Sequence, residues 1–476
     1  MSEKVIYELS KAGRRATTLP PLDVPEAELP TEWLRADLPL PEVSEVSLVR
    51  HYLRLSQKNY GVDVGFYPLG SCTMKYNPKV NEEVASFPGF SRSHPLQPIS
   101  TAQGNLQLMW ELQEMLGELS GFAAVSLQPA AGAHGELTGV LIMRRYHQER
   151  GETDRRRILI PDSAHGTNPA TTTMSGYEVV QLPSDKRGNV DLEALRSHCD
   201  SSVAGLMLTN PNTLGLFDEH VLEVCRLVHE SGGLVYGDGA NLNALLGIVK
   251  LADLGFDIMH FNLHKTFSTP HGGGGPGSGP VGVVERLAEY LPGPLVARQG
   301  HSFVLRMPDR SIGRVKSFYG NFGVMVKAYA YIRTLGAQGL REVSESAVLA
   351  ANYLQGRLKQ TYPLPYDRLC MHEFVIEGRI QGAPDVRALD ISKRLIDYGF
   401  HPPTNYFPLI VREALMIEPT ETEDKETLDA FAEALERIAQ EALEDPELLH
   451  SAPHTAPVRR LDEVRAAREP CLKWEH

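Results

Sequence analysis

Cysteine is scarce in this chain, and the few that exist form no pattern. Cys72, Cys199, Cys225, Cys370 and Cys471 are odd in number and far apart, with no C-x-x-C pair. That speaks against a disulfide framework or a cysteine-based zinc site, and it predicts a reducing, cytoplasmic setting. Only Cys72 has unusual neighbours, in the run Leu69-Gly-Ser-Cys-Thr-Met-Lys75. No run of about 18 apolar residues exists, so no membrane-spanning helix is expected. Met1 to Arg15 mixes charges of both signs and lacks the apolar centre of a secretory signal. Positive charge is not in excess: 47 Lys and Arg face 60 Asp and Glu, for a net charge of −13. A sequence-independent nucleic-acid binder or an anionic-membrane binder is therefore not expected. The chain also has no G-x-x-x-x-G-K-[ST] motif, which removes the P-loop.

What is present is ordinary globular material, 476 residues with 42% apolar and 22% charged content, enough for two or three domains. Residues 16–43 are proline-rich, with Pro20, Pro21, Pro25, Pro30, Pro39 and Pro41. Such a segment suits an arm laid over a neighbour. A helix is expected from Ser44 to Gln57. From Ser100 a helical stripe leads into alternating strands and helices. Strands are expected at Ala123–Leu127, Arg157–Ile160, Glu178–Leu182, Val203–Thr209, Leu234–Tyr236, Ile258–Leu263 and Val281–Val284. Helices fall between them at Glu136–Arg150, Asp191–Cys199 and His220–Glu230. This pattern predicts an α/β fold with a mostly parallel, seven-stranded sheet covered on both faces, and ligands at the carboxyl ends of its strands. A long helical stretch, Val324 to Gln360, opens a smaller α+β region. That region has strands at Glu373–Glu377 and Leu415–Glu418 and helices at Asp385–Tyr398 and Asp424–Ala442. We divide the chain into an N-terminal arm with helices (1–99), a large α/β domain (100–325), a small C-terminal domain (326–450) and a tail (451–476).

The chemistry concentrates at His264-Lys265, which follows the apolar run Asp257 to Leu263 and precedes a glycine-rich loop. Burying an ammonium is costly. A desolvated lysine becomes a nucleophile able to form a Schiff base with a carbonyl substrate or with pyridoxal phosphate. Upstream, Leu234-Val-Tyr-Gly-Asp238 reads as a buried strand ending in a carboxylate. Pyridoxal phosphate needs both groups: the lysine holds the aldehyde, and the carboxylate keeps the pyridine nitrogen protonated. Each residue alone has an ordinary explanation, Lys265 as a loop-start lysine and Asp238 as a turn or cap residue. Their order within an alternating strand and helix pattern favours the cofactor.

Further strand ends supply the remaining candidates. Gln128-Pro-Ala-Ala131-Gly132-Ala133-His134-Gly-Glu136 puts small residues at a strand-to-helix turn, where amides can approach a phosphate. His165 lies just past the second strand and can stack on a flat ring. Thr209 and Asn212 can donate to a ring hydroxyl or a substrate carboxylate. Ala240 and Asn241 follow Asp238, and His264 can contact the phosphate. Arg306, Arg310 and Arg314 are available for a substrate carboxylate, with nothing to rank them.

Three long motifs carry a resemblance: Tyr67-Pro-Leu-Gly-Ser-Cys-Thr-Met-Lys-Tyr-Asn-Pro78, the Gln128 to Glu136 loop, and His264-Lys-Thr-Phe-Ser-Thr-Pro-His271 with the glycines after it. With His401-Pro-Pro-Thr-Asn-Tyr-Phe407 and Ile417-Glu-Pro-Thr-Glu-Thr422, they resemble the glycine decarboxylase P-protein of the glycine cleavage system. The resemblance covers most of the chain. It implies a fold-type-I pyridoxal-phosphate enzyme and the lysine-bearing subunit 2 of the two-subunit form. The implied partners are glycine, a lipoylated H-protein and P-protein subunit 1, in an α2β2 heterotetramer. The implied catalytic residues are Lys265, Asp238 and His165, with His134 and His271 as further candidates for proton transfer or stacking. Ala131, Gly132, Ala133, Thr209, Asn212, Ala240 and His264 are the remaining cofactor contacts. The alternatives are another fold-type-I enzyme (a decarboxylase, aminotransferase or cysteine desulfurase) and a non-catalytic partner subunit. A desulfurase needs a cysteine on a mobile lid, and no evident lid carries one.

Overall fold

The structure is a computed structural model that describes residues 3–36, 38–272, 275 and 277–473. Part of the glycine-rich loop, residues 273, 274 and 276, and the last three residues of the tail lie outside the described residues.

Seven strands form the main sheet: β1 (Ala124–Ser126), β2 (Arg157–Pro161), β3 (Glu178–Leu182), β4 (Val203–Thr209), β5 (Leu234–Asp238), β6 (Ile258–His260) and β7 (Val281–Val283). Their order is β1-β7-β6-β5-β4-β2-β3. β7 runs antiparallel to both neighbours, and the β2 to β6 pairings are parallel. β4 is central and buried throughout, which is why it reads as one unbroken apolar run. Side chains alternate between faces with the pleat. Leu159, Leu206, Leu208, Val235 and Met259 pack on the side of helices Gln103–Ser120 and Val221–Glu230. Ile158, Ile160, Met207, Tyr236 and Ile258 pack on the side of helix Gly132–Glu149.

The structure departs from the sequence reading in places. β6 stops at His260 instead of reaching Leu263. The β7 register puts Pro280 opposite Phe261, and a proline has no N–H to continue the ladder. The chain then turns, and the Lys265 amide donates to the Asn262 carbonyl at 3.1 Å. Lys265 thus lies beyond the strand, inside a turn. Helix Thr167–Met174 was not expected, because its Thr-rich, Pro-containing sequence has little helix propensity. A hairpin of β8 (Leu295–Gln299) and β9 (Ser302–Arg306) was also not expected.

A helix spanning Phe322–Leu358 joins the two cores, with a non-helical Gly336 inside it. Its first part packs in the large core through Val324, Met325 and Tyr331, and its end packs in the small one through Ala351, Leu354 and Leu358. The small sheet holds β10 (Phe374–Glu377), β11 (Thr404–Asn405) and β12 (Ala414–Ile417) in the order β10-β12-β11, all antiparallel. Helices Ala388–Asp397 and Lys425–Glu444 cover it.

The N-terminal arm is mostly irregular, with short 3-10 turns at Ile6–Leu9 and Thr31–Trp33. It leaves Leu19, Leu22, Trp33 and Leu40 exposed. Beyond the helix Glu45–Ser56, the segment from Tyr67 to Asn77 runs between the two cores, with bonds to Glu373 and Asn243. There Leu69 bridges to Ile417 and the Gly70 amide donates to Met416. A Cβ on Gly70 would lie 2.2 Å from Met416 Cγ, so only glycine fits this approach. Among the described residues no helix is long and apolar enough to cross a membrane.

Candidate active site

The loops at the carboxyl ends of the strands meet the Leu69 to Cys72 segment around one cavity of about 1090 Å³. Asp238, the last residue of β5, is buried at its floor. Its Oδ1 accepts the Ala240 amide at 2.9 Å, and its Oδ2 accepts Asn168 Nδ2 at 3.1 Å. His260 Nε2 lies 3.6 Å from Oδ1. Burial alone would raise this carboxyl. The charges of His165, His260 and Lys265, with the Asn168 amide, outweigh burial and hold it at about 2. Asp238 is therefore an anion at any physiological pH. It is at once the cap of the turn after β5 and a fixed negative charge facing the cavity.

Lys265 faces the same cavity. Its Nζ donates to the Ser71 carbonyl at 2.8 Å. The lysine amine and the Asp238 carboxylate thus come from neighbouring strand ends, which sequence order alone had suggested.

On another wall, helix Gly132–Glu149 opens into the cavity with its N-terminus. Ala131 precedes it and supplies no side-chain cap. The first-turn amides of an uncapped helix are an anion site, reinforced by the helix dipole. The backbone is close-packed behind this turn. A Cβ on Gly132 would lie 2.2 Å from Asn262 Nδ2, and one on Gly279 would lie 2.0 Å from the Ala131 carbonyl. Ala131, Gly132 and Ala133 line the cavity, as does His264. His264 Nδ1 accepts the Ser278 amide at 3.3 Å. Burial and the nearby Lys265 charge push His264 down to about 3, so its ring is neutral. His134 instead turns to the loop backbone, where its Nδ1 accepts the Ala130 amide at 3.2 Å.

His165 lines the cavity with its ring nearly parallel to Phe407, 5.9 Å between centroids and 14° between planes. Burial drives its pKa to about 4, which leaves a flat, uncharged imidazole at neutral pH. His271 also lines the cavity and meets His264 edge-on at 5.4 Å.

Two expected contacts are not brought to the cavity. Asn212 spends its side chain on its own loop: Nδ2 donates to the Gly188 carbonyl, and Oδ1 accepts the Leu214 and Leu216 amides. Thr209 is buried on β4, and its hydroxyl has no partner among the described residues. Ala240 lines the cavity beside Asp238. Arg306 and Arg310 are engaged away from it, with Glu289 and with Tyr290 and Glu149. Arg314 is exposed, and no arginine is among the described residues that line the cavity. Cys72 does line it, but burial pushes its thiol up to about 11. A protonated, half-buried thiol is a poor nucleophile.

Several site residues carried no local signal. Glu136 faces the cavity and accepts the Thr167 hydroxyl at 2.8 Å; burial and repulsion from Asp238 raise it to about 8. Behind the Ser71 turn lie His372, Glu373 and Glu418, all fully buried. Their ligating atoms lie within 4.8 Å of one another, close enough for a metal ion. Yet all four carboxylate oxygens already accept hydrogen bonds, from Asn241, the Ser71 amide, and the Thr73 hydroxyl and amide. Lys75 is also fully buried. It donates to Glu421 and Asn243 at 2.8 Å each and to Tyr331 at 3.0 Å.

Residues 23–397 match the family model described as glycine cleavage system P-protein, and residues 343–454 match that for the glycine dehydrogenase C-terminal domain. A curated relative from Caldanaerobacter subterraneus subsp. tengcongensis, named "Probable glycine dehydrogenase (decarboxylating) subunit 2", is 62% identical over 476 residues, covering 99% of this chain and 98% of its own. A relative of the same name from Thermotoga maritima is 58% identical over 471 residues, covering 98% and 99%. Among solved structures, an inhibitor-bound glycine decarboxylase (P-protein) of the glycine cleavage system superposes with a TM-score of 0.73 at 23% identity. It covers 86% of this chain and 93% of that one. A Lactobacillus brevis glutamate decarboxylase gives 0.64 at 14% identity, covering 89% and 96%. At such identities the structural likeness speaks for the shared fold alone.

Proposed function

The chain belongs to the glycine cleavage system P-protein family, and we propose that its cavity binds glycine and pyridoxal phosphate and serves the lipoyl arm of an H-protein. The reaction is the decarboxylation of glycine, and the chain corresponds to subunit 2 of the two-subunit form. The observation that carries the site reading is the convergence of the Lys265 amine and the ionised Asp238 on one cavity with an uncapped helix N-terminus. This donor set suits the cofactor group by group: an amine for the aldehyde, an anion for the pyridine nitrogen, free amides for the phosphate. When bound, pyridoxal phosphate supplies an electron sink for the pair left by the departing carboxylate.

The protein's own residues do the rest. Asp238 stays anionic because His260, Asn168 and the Ala240 amide surround it. Gly132 and Ala133 present amides to the phosphate, with His264 beside them as a neutral donor or acceptor. Neutral His165, with Phe407 beside it, would cover the flat ring of a bound cofactor without adding charge. With no arginine among the described lining residues, the glycine carboxylate would meet the neutral Ser71 hydroxyl, since Thr404 donates to the Gly70 carbonyl and Asn321 to the Ala130 and Gly277 carbonyls. Weak anchoring of that carboxylate suits a group that must leave. In the transfer step the lipoyl S–S bond breaks; one sulfur takes the aminomethyl carbon and the other takes a proton.

The name shared by the relatives implies a second subunit. Leu19, Leu22, Trp33 and Leu40 of the arm are exposed apolar side chains. Subunit 1 would cover them, in an α2β2 heterotetramer of the cytoplasm. Lys265→Ala tests the site directly. After incubation with pyridoxal phosphate and gel filtration, the variant should lack the visible absorbance of lysine-bound cofactor. Wild-type absorbance in the variant would overturn the assignment.

A further inference from the structure

Ser71 and Thr73 have φ angles of 64° and 49°. Neither is glycine, and a side-chain-bearing residue holds this left-handed conformation only when its surroundings enforce it. The enforcing groups are two buried carboxylates of the small domain. Glu373, just ahead of β10, accepts the Ser71 amide at 2.7 Å and Asn241 Nδ2 at 3.1 Å. Glu418, just past β12, accepts the Thr73 amide at 2.8 Å and the Thr73 hydroxyl at 2.6 Å. Both are wholly buried, an expensive place for a carboxyl group. A glycine-based turn would have needed neither. What the enforced turn delivers is the Ser71 carbonyl, aimed at Lys265 Nζ. A continuous line therefore runs from the small domain to the lysine: Glu373, the Ser71 amide, the Ser71 carbonyl, the Lys265 amine.

We propose that Glu373 is a positioning residue for Lys265: by holding the Ser71 amide it fixes the carbonyl on which the lysine amine waits whenever that amine is not bonded to the cofactor. This rests on the reading of Lys265 as the cofactor lysine. It makes the seating of the small domain a condition for presenting the amine, because Glu373 belongs to that domain and Lys265 to the other. The neighbouring side chains leave Glu373 no substitute. Asn241 Nδ2 also donates to the Pro211 and Asn212 carbonyls, so its amide cannot turn over. A glutamine at 373 would face that N–H2 with its own N–H2 or lose the Ser71 bond.

The test compares the cofactor-free wild-type chain with Glu373→Gln. Pyridoxal phosphate is added at one fixed pH, capture is followed by visible absorbance, and borohydride trapping with peptide mass spectrometry confirms the site. Glu373→Gln should stay folded while capture at Lys265 slows about tenfold, as expected when a buried amide loses its acceptor. Hydrogen exchange supplies a second readout that needs no variant: the Ser71 amide should be protected in the cofactor-free wild type. Equal capture rates in a folded Glu373→Gln chain, or an unprotected Ser71 amide in the wild type, would overturn the proposal. Failure of the wild type to trap at Lys265 would instead overturn the functional reading, and this inference with it.

Discussion

Asn168 donates its side-chain amide to Asp238 Oδ2 at 3.1 Å, and both side chains are buried. The bond joins the start of an unexpected helix, Thr167–Met174, to the end of β5. It aims the carboxylate and helps to keep it ionised. Asn168→Ala removes a hydrogen bond to a buried charge, worth about 1.5–3 kcal/mol. Cofactor retention should weaken roughly 10- to 100-fold. Equilibrium dialysis against pyridoxal phosphate measures this, and an unchanged dissociation constant would contradict the role given to Asn168.

The role of His165 divides two readings. If its ring serves by covering a flat cofactor, His165→Phe should keep cofactor affinity within about threefold, while His165→Ala loses roughly tenfold, the scale of an aromatic contact. If it moves a proton, both variants should bind normally and fail in turnover. Its low pKa of about 4 favours the first outcome.

Lys75 makes a buried ion pair with Glu421, with side chains 1% and 9% exposed. Removing one partner leaves an uncompensated charge, a loss of about 3–5 kcal/mol. Lys75→Ala should lower the thermal midpoint markedly, and Lys75→Ala with Glu421→Ala should recover part of the loss. A Lys75→Ala chain as stable as the wild type would show that the pair holds nothing in place.

Glu136 gives a pH dependence with a definite sign. Burial, then repulsion by Asp238, raises it from 4.5 to about 8 in the folded chain. The folded state therefore binds the proton more tightly than the unfolded one. This contribution to stability is full below about pH 4.5 and is lost as pH rises through about 8. Glu136→Gln has no such proton to lose. In cofactor-free protein its stability relative to the wild type should rise between pH 5 and 8, as read by denaturant titration at each pH. A pH-independent difference would contradict the assignment.

Much of the large domain was legible because its strands are short apolar runs. β4 and β5 fall within a residue or two of expectation, and Asp238 stands at the end of its strand as read. Lys265 was singled out as the residue ending an apolar strand, and that strand stops earlier, at His260. The lysine lies past the strand, in a turn closed by the Lys265 amide on the Asn262 carbonyl. Asn212 was expected to face a ligand and instead bonds its own loop, as an Asn in a strand-end loop readily does. The anchors of the Ser71 turn were invisible for a different reason. Their partners lie 302 to 346 residues away in sequence, and no local periodicity reports a contact of that range. The only trace was the oddity of the Tyr67 to Pro78 segment itself, polar and irregular yet placed ahead of the main body.

The central claim is that this chain removes the carboxyl group of glycine at the Lys265 and Asp238 cavity. The most direct measurement is labelled CO2 release from carboxyl-labelled glycine. It uses the chain with pyridoxal phosphate, with and without the subunit 1 partner and a lipoylated H-protein. Release from the full mixture, abolished by Lys265→Ala, is the predicted result. No release from a full mixture whose cofactor is demonstrably bound to Lys265 would contradict it and point to another amino acid as substrate.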